Sequence, residues 1–354
     1  MLNICKISII IFLFSGFAVN GQKFSVEVCK WYQNKEGAIS ISFDDASYTQ
    51  YEYAYPILEK YNIKATISLV GEWTHEKPTY SSEAGNFEIK KMGWNEIAEL
   101  NNHGYEIAAH GYKHAKYNKH LPKTEIIQQM KEVKELIENN INTRVYTLHY
   151  PYSFTSYKII EAAKEAGFLF CRTGRDSINP ASPSDINFLY SKVILNNNKP
   201  DINQFSQWIN QTNGKWLILM YHHLFPESSK ETKIMEYHKV KNTYSVFPET
   251  FEEQIGIIAN SNYWAAPIST IGKYIIERDN LKIKTKKIGK NIIINTETEI
   301  DTSIYNQAIS LKITLPWHKV SVKGSTNDKI YEVKNNELLI DFIPGKTVKI
   351  RKTK

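Results

Sequence analysis

The sequence predicts an α/β chain: a distorted barrel of seven parallel strands alternating with helices, followed by a small all-β, sandwich-like module. Two observations carry this expectation. From Gly37 to Glu277, short apolar runs alternate with amphipathic stretches, the pattern of βα units built around a parallel sheet. After Asp279 helical periodicity disappears, and short apolar runs are separated by Asn, Gly, Asp and Pro.

Residues 1–21 carry one Lys, an apolar run from Ile7 to Phe14 and small residues near Val19-Asn20-Gly21, the layout of a secretory signal. Cleavage is expected close to Gly21, which divides the chain into a leader at 1–21, a barrel domain at 22–279 and an accessory module at 280–354. The apolar run is short for a bilayer span, so no transmembrane segment is expected after cleavage, and the address is secreted, periplasmic or cell envelope. Cys29 and Cys171 are then the only thiols, too few for a disulfide-built scaffold. One disulfide between them is possible, and a buried free thiol is the expectation for Cys171.

Strands are expected at 38–43, 65–70, 105–109, 145–150, 168–172, 216–221 and 263–266. Helix signals fall between them. Pro56 opens one that places Ile57, Leu58 and Tyr61 on one face. Trp94 to Leu100 precede a Gly104 stop, and Thr124 heads a longer helix with Ile126, Met130, Val133 and Ile137 at helical spacing. Another ends at Gly167, and one opens at Pro248. In the module, 292–294, 309–315, 320–322, 338–343 and 348–350 read as strands.

The formal net charge of +7 is unevenly placed: residues 281–354 hold 15 Lys and Arg against 7 Asp and Glu, leaving −1 for everything before them. Lysines alternating with apolar residues read as a solvated sheet face, with contact to an acidic polymer or a membrane surface as the alternative. No nucleic-acid partner is expected.

The chemistry-bearing residues fall at the C-terminal ends of different expected strands. Asp44 and Asp45 end the first, His110 the third and Tyr150 to Tyr152 the fourth. Arg175 and Asp176 follow the fifth, and His222 ends the sixth. Barrel enzymes assemble their sites on that rim. Two imidazoles and one carboxylate hold a divalent metal with a coordination position left open, and zinc there lowers the pKa of water to ~7. His110 and His114, four apart, would reach one side of a helical turn. Adjacent aspartates at a strand end point apart, so Asp45 is expected on the metal and Asp44 as the base.

Ser42-Phe43-Asp44-Asp45-Ala46 and His110-Gly111-Tyr112-Lys113-His114 resemble the TFDDG and H(S/T)xxH motifs of polysaccharide deacetylases, the carbohydrate esterases that include the NodB-like chitooligosaccharide deacetylases. The resemblance spans roughly residues 36–277. It implies the NodB homology fold, a zinc or cobalt ion on Asp45, His110 and His114, and an acetylated oligo- or polysaccharide as substrate. N-acetyl groups of N-acetylglucosamine units are the first expectation. An O-acetyl xylan esterase and a carbohydrate-binding protein without turnover are the alternatives.

The third motif, RxPY, corresponds to His149-Tyr150-Pro151-Tyr152. It implies that the Tyr152 backbone N–H helps hold the oxyanion, with Tyr150 and Tyr152 contacting substrate. The motif's arginine, which orients the catalytic aspartate, is replaced here by His149. Charged His149, Arg172 or Arg175 could take its place, and Arg175 is preferred. The late Leu-x-His segment implies a general acid, His222, chosen because alternation puts it on the face of Ile218 and Met220; His223 is the alternative. Met220 matches the acetyl-methyl pocket, and Asp176 lies where a carboxylate would tune the acid. Trp73, Trp94, Trp208 and Trp264 are candidates for sugar stacking.

Overall fold

The computed structural model describes residues 24–74, 79–81, 88–117, 120–195, 201–229, 232–233 and 243–353. The expected leader at 1–21 lies outside the described residues, and among these no helix is long and apolar enough to cross a membrane.

Besides five short strands of two or three residues among those described, the strands of the first part are β1 (Ser25–Val28), β2 (Gly37–Phe43), β3 (Thr66–Leu69), β4 (Glu106–Ala109), β5 (Thr147–His149), β6 (Phe170–Arg172), β7 (Lys192–Val193), β8 (Lys215–Tyr221) and β9 (Tyr263–Ala265). Seven run parallel in the order β7-β8-β2-β3-β4-β5-β6, and β9 pairs with the start of β2. The sheet curls, and its two end strands are not paired with each other; a single bridge from Arg172 to Leu189 lies at that gap. All seven expected strands are present, and the two-residue β7 is an addition.

Every residue of β2 is buried, as a central strand covered on both faces requires. Its two serines survive there because their hydroxyls donate to the carbonyls of Ala266 (2.9 Å) and Leu219 (2.8 Å).

Helices α1 (Tyr55–Lys60), α2 (Trp94–Asn102), α3 (Lys123–Ile141), α4 (Tyr157–Glu165), α5 (Ile202–Asn210), α6 (Pro248–Ala259) and α7 (Ile268–Asp279) cover the sheet. α3 buries the expected stripe of Ile126, Met130, Val133 and Ile137. The Ser156 hydroxyl caps α4 by accepting from the Ile159 N–H. α5 and α7 go beyond the sequence expectation. α7 starts at the N-terminal end of the sheet, where Glu106 accepts from the Ser269 N–H (2.9 Å), Thr66 (2.8 Å) and Thr147 (2.5 Å).

The later strands are β10 (Lys282–Ile288), β11 (Asn291–Glu297), β12 (Ile309–Thr314), β13 (Lys319–Lys323), β14 (Ile330–Glu332), β15 (Glu337–Phe342) and β16 (Thr347–Lys352). They form two antiparallel sheets, β1-β12-β15 and β10-β11-β16-β13-β14, which share one apolar core containing Ile294, Leu311, Val322, Ile340 and Ile350. β1 lies far away in sequence, yet it pairs with β12 from Ser25↔Thr314 to Val28↔Leu311. Tyr274 of α7 enters the same core, and its hydroxyl donates to the Cys29 carbonyl (2.8 Å). Cys29 and Cys171 are both buried and free.

Candidate active site

Directly after β2 the backbone turns through left-handed conformations at Asp45 (φ 72°) and Ala46 (φ 46°). Conformations of that kind cost energy in residues with a side chain, and they cluster at functional sites. Here the turn sends the two carboxylates to different tasks. Asp45 Oδ1 lies 3.6 Å from His110 Nε2 and 3.7 Å from His114 Nε2, and the two Nε2 atoms are 3.2 Å apart.

Three donors at those separations can each lie about 2 Å from one common point, the bond length zinc makes to nitrogen and oxygen. The donor set fits a divalent cation in two further respects. Asp45 Oδ1 is buried without a hydrogen-bond partner. His110 Nδ1 lies 2.8 Å from the His149 carbonyl, so it carries the proton and Nε2 presents its lone pair.

The two histidines do not share a helical turn. Residues 110–117 are irregular, with Gly111 at φ 79° and His114 at φ 48°. The imidazoles converge because the chain folds back on itself at Gly111. A Cβ there would sit 3.0 Å from both Pro151 Cγ and Tyr117 Oη, which accounts for glycine where the related motif has Ser or Thr.

Asp44 is fully enclosed, and its two oxygens are unlike. Oδ1 accepts from Ser68 Oγ (3.1 Å), His149 Nδ1 (2.7 Å) and Arg172 Nη2. Oδ2 faces the cleft, 3.7 Å from His110 Nε2 and 3.8 Å from His222 Nε2. Burial alone would raise this carboxyl's pKa, but the charge of Arg172 and the His149 hydrogen bond outweigh it and hold it well below the usual range. Burial and Arg172 push His149 down to about 3. His149 is therefore a neutral donor, not the charged partner considered from the sequence.

The guanidinium comes from Arg172 and not from Arg175. Arg172 ends β6 directly beside His149 on β5, so both side chains reach the same rim. Arg175, three residues on in a loop, lies 4.8 Å over the Phe188 ring.

His222 follows β8, with its carbonyl accepting from Gln50 Nε2 (2.6 Å) and its ring 4.8 Å from Tyr244. Met220 shares its side of the strand and lies against Arg172 Nη1. His223 turns away to stack on Phe225 (5.4 Å), and burial holds it well below the ordinary imidazole value. Asp176 is exposed and pairs with Lys192 (2.7 Å), not with His222.

Tyr150 is buried with its hydroxyl on the Asn187 carbonyl (3.0 Å), so that hydroxyl is spent inside the protein and not on substrate. Tyr152 is 59 % exposed at φ 55°, with its ring 4.5 Å from His114. Of the four tryptophans, only Trp73 reaches the site, 5.0 Å from His114. Trp264 packs between Tyr32 and Tyr274, Trp208 lies beside Lys192, and Trp94 packs on the core.

Ser68, Gln50, Tyr244 and Lys91 are additions that sequence reasoning missed. Lys91 is fully buried beside Trp73 (4.4 Å), brought in by a bridge to Ser47. Burial lowers its pKa to about 8, and its charge helps hold Asp45 below the usual carboxylate range. Nothing in Glu88-Ile89-Lys90-Lys91-Met92 marks it out in the sequence.

Residues 32–171 match the family model described as polysaccharide deacetylase. A Bacillus subtilis protein, YxkH, whose name places it among the polysaccharide deacetylases, is 27 % identical over 133 residues, 38 % of this chain and 43 % of that protein. A Staphylococcus aureus poly-beta-1,6-N-acetyl-D-glucosamine N-deacetylase is 26 % identical over 147 residues, 39 % of this chain and 50 % of that one. The chain thus spans about half the length, or less, of these curated relatives. A Mycobacterium smegmatis structure titled as a polysaccharide deacetylase superposes with a TM-score of 0.50 at 14 % identity, over 71 % of this chain and 94 % of its own. At that identity the likeness is one of fold.

Proposed function

We propose that this chain, which carries a polysaccharide deacetylase domain over residues 32–171, is a metal-dependent hydrolase that removes acetyl groups from the nitrogen of N-acetylglucosamine-type glycans. The observation that carries the reading is the pairing, on one rim, of the Asp45–His110–His114 triangle with an aspartate clamped at one oxygen and open at the other.

Zinc, or cobalt in its place, held by Asp45, His110 and His114 would polarise the acetyl carbonyl and make a water easier to deprotonate. Asp44 Oδ2 takes the proton from the attacking water, whose oxygen bonds to the acetyl carbon. The Tyr152 N–H donates to the oxyanion that develops. His222 then gives its proton to the amine nitrogen as the C–N bond breaks, and acetate and a free amino sugar leave. Met220 borders the space for the methyl group. Tyr152 and Trp73 offer ring faces to a pyranose beside His114. Residues 1–21 support export to the cell envelope or beyond it.

The test is acetate release from N-acetylglucosamine oligomers, peptidoglycan and acetylated xylan in parallel. Release from at least one N-acetylated substrate, lost in Asp44→Asn, is expected. Release from xylan alone would replace the amide reading by an ester one, and release from none would leave a binding protein.

A further inference from the structure

The outer face of the five-stranded sheet carries a cationic surface that the site above does not use. Its cross-strand register is explicit. One row runs Lys286, Ile293, Lys349, Lys323, and the next runs Ile288, Asn291, Arg351, Ser321, Ile330. Directly paired residues project from the same face, so both rows belong to one surface. The opposite face holds Ile292, Ile294, Val320, Val348 and Ile350, all buried.

Two features set this surface apart from an ordinary solvated sheet. Lys286, Lys323, Lys349 and Arg351 are exposed and make no ion pair among the described residues, whereas Lys282 and Lys284 next to them pair with Glu299 and Glu297. The second row also ends at both edges in exposed isoleucines: Ile288 is 49 % and Ile330 57 % exposed. They are two of only five large apolar side chains so exposed among the described residues. Four strand spacings separate them, about 19 Å.

We propose that this face docks on an anionic lipid surface, with Lys286, Lys323, Lys349 and Arg351 against the headgroups and Ile288 and Ile330 entering the interface. Unpaired cations supply charge complementarity to any polyanion. The two isoleucines decide for lipid, because a soluble polyanion offers them no apolar phase whereas a bilayer does. The proposal does not depend on the deacetylase reading: docking and acetate release are measured separately.

The test is sedimentation of the full chain with vesicles of phosphatidylcholine alone or mixed equally with phosphatidylglycerol, at low and high salt. The apolar run at 7–14 is common to every variant, so differences between variants report on the sheet face. Preferential binding to the anionic vesicles, weakened by salt, is expected. Lys286→Gln/Lys349→Gln/Arg351→Gln should lower that binding at least tenfold, and Ile288→Gln/Ile330→Gln at least threefold, with thermal melts unchanged. Equal binding to both vesicles, or an anionic preference that survives the triple variant, overturns the proposal. Polyglutamate binding that the isoleucine variant leaves intact, with vesicle binding equally intact, assigns the face to a soluble polyanion instead. A dimer in solution that the isoleucine variant dissociates, with no vesicle binding, assigns it to a second copy of the chain.

Discussion

His149 and Arg172 stand side by side at the ends of adjacent parallel strands and donate to the same oxygen of Asp44. The substitution of His for the motif's arginine is thus compensated across the sheet: the cation arrives from the neighbouring strand, and a neutral imidazole stands where the motif would put it. Arg172→Met is expected to lower kcat on the order of 100-fold by loosening the base. It should also cost about 3–5 kcal/mol of stability, because a buried carboxylate loses its cation. Acetate release and urea melts read the two effects, and bound metal should be unchanged. Full activity in Arg172→Met would remove it from this role.

Chelation is expected to abolish acetate release and to lower the melting temperature, and added zinc or cobalt should restore both. At a hundredfold excess over its Kd, a ligand that binds only the folded state stabilises by about 2.7 kcal/mol. His114→Ala should lose most of that metal-dependent shift. A metal-independent melt would count against the triangle as a binding site.

Glu277 gives a pH dependence that is independent of the site. Burial raises its carboxyl to about 7, against the opposing hydrogen bond from the Gln307 N–H (2.7 Å). Between its ordinary value near 4.5 and about 7, the unfolded chain has lost this proton while the folded one keeps it. This contribution is complete below that window, declines as pH rises through it and is gone above. Glu277→Gln should flatten that part of the stability profile, as followed by urea midpoints from pH 4 to 8; an unchanged slope would contradict the assignment.

A chain ended after Arg278 is expected not to yield soluble, monodisperse protein. It would strip β12 from β1 and uncover Tyr274 and Trp264, both packed on the core between the two later sheets. Expression followed by size-exclusion chromatography checks this. A well-behaved fragment would mean that the later strands are an attachment and not a buttress.

Tyr244 is 41 % exposed and held at φ 47° beside His222. If its ring receives a neighbouring sugar, Tyr244→Ala should raise KM for oligomers several-fold, consistent with about 1 kcal/mol of stacking, and Tyr244→Phe should restore it. A change confined to kcat would point instead to a role in orienting His222.

The parts of this molecule that were legible in the sequence are those whose signal is local. Ala38 to Phe43 reads as a strand because Ile39, Ile41 and Phe43 recur at every second position with only small residues between them, and Asp44, Asp45, His110 and His114 stand out because short motifs contain them. Lys282–Ile288 escaped as a strand because four of its seven residues are lysines, so its period-2 pattern reads as polarity. β7 is only two residues long, and β1, Ser-Val-Glu-Val, is half polar and buries none of its residues fully, so neither carries an apolar run. The choice of Arg175 over Arg172 failed because strand register, set by β5 beside β6, decides which guanidinium faces Asp44. The spacing of His110 and His114 suggested a helical turn because a four-residue interval is ambiguous, and the left-handed Gly111 resolves it. Lys91, Ser68 and Tyr244 come from segments whose only distinction is where the fold delivers them.

The pairing of Ser25–Val28 with Ile309–Thr314 imposes an order on biosynthesis. On the ribosome, the earlier of these strands must wait, unpartnered, until residues 29–314 have emerged. Such distant closures are slow and leave apolar edges open to wrong associations. Closure of this sheet therefore follows synthesis of the whole parallel-sheet domain, and any helper that shields Phe24 to Val28 in the interval would govern how much of the protein reaches the native state.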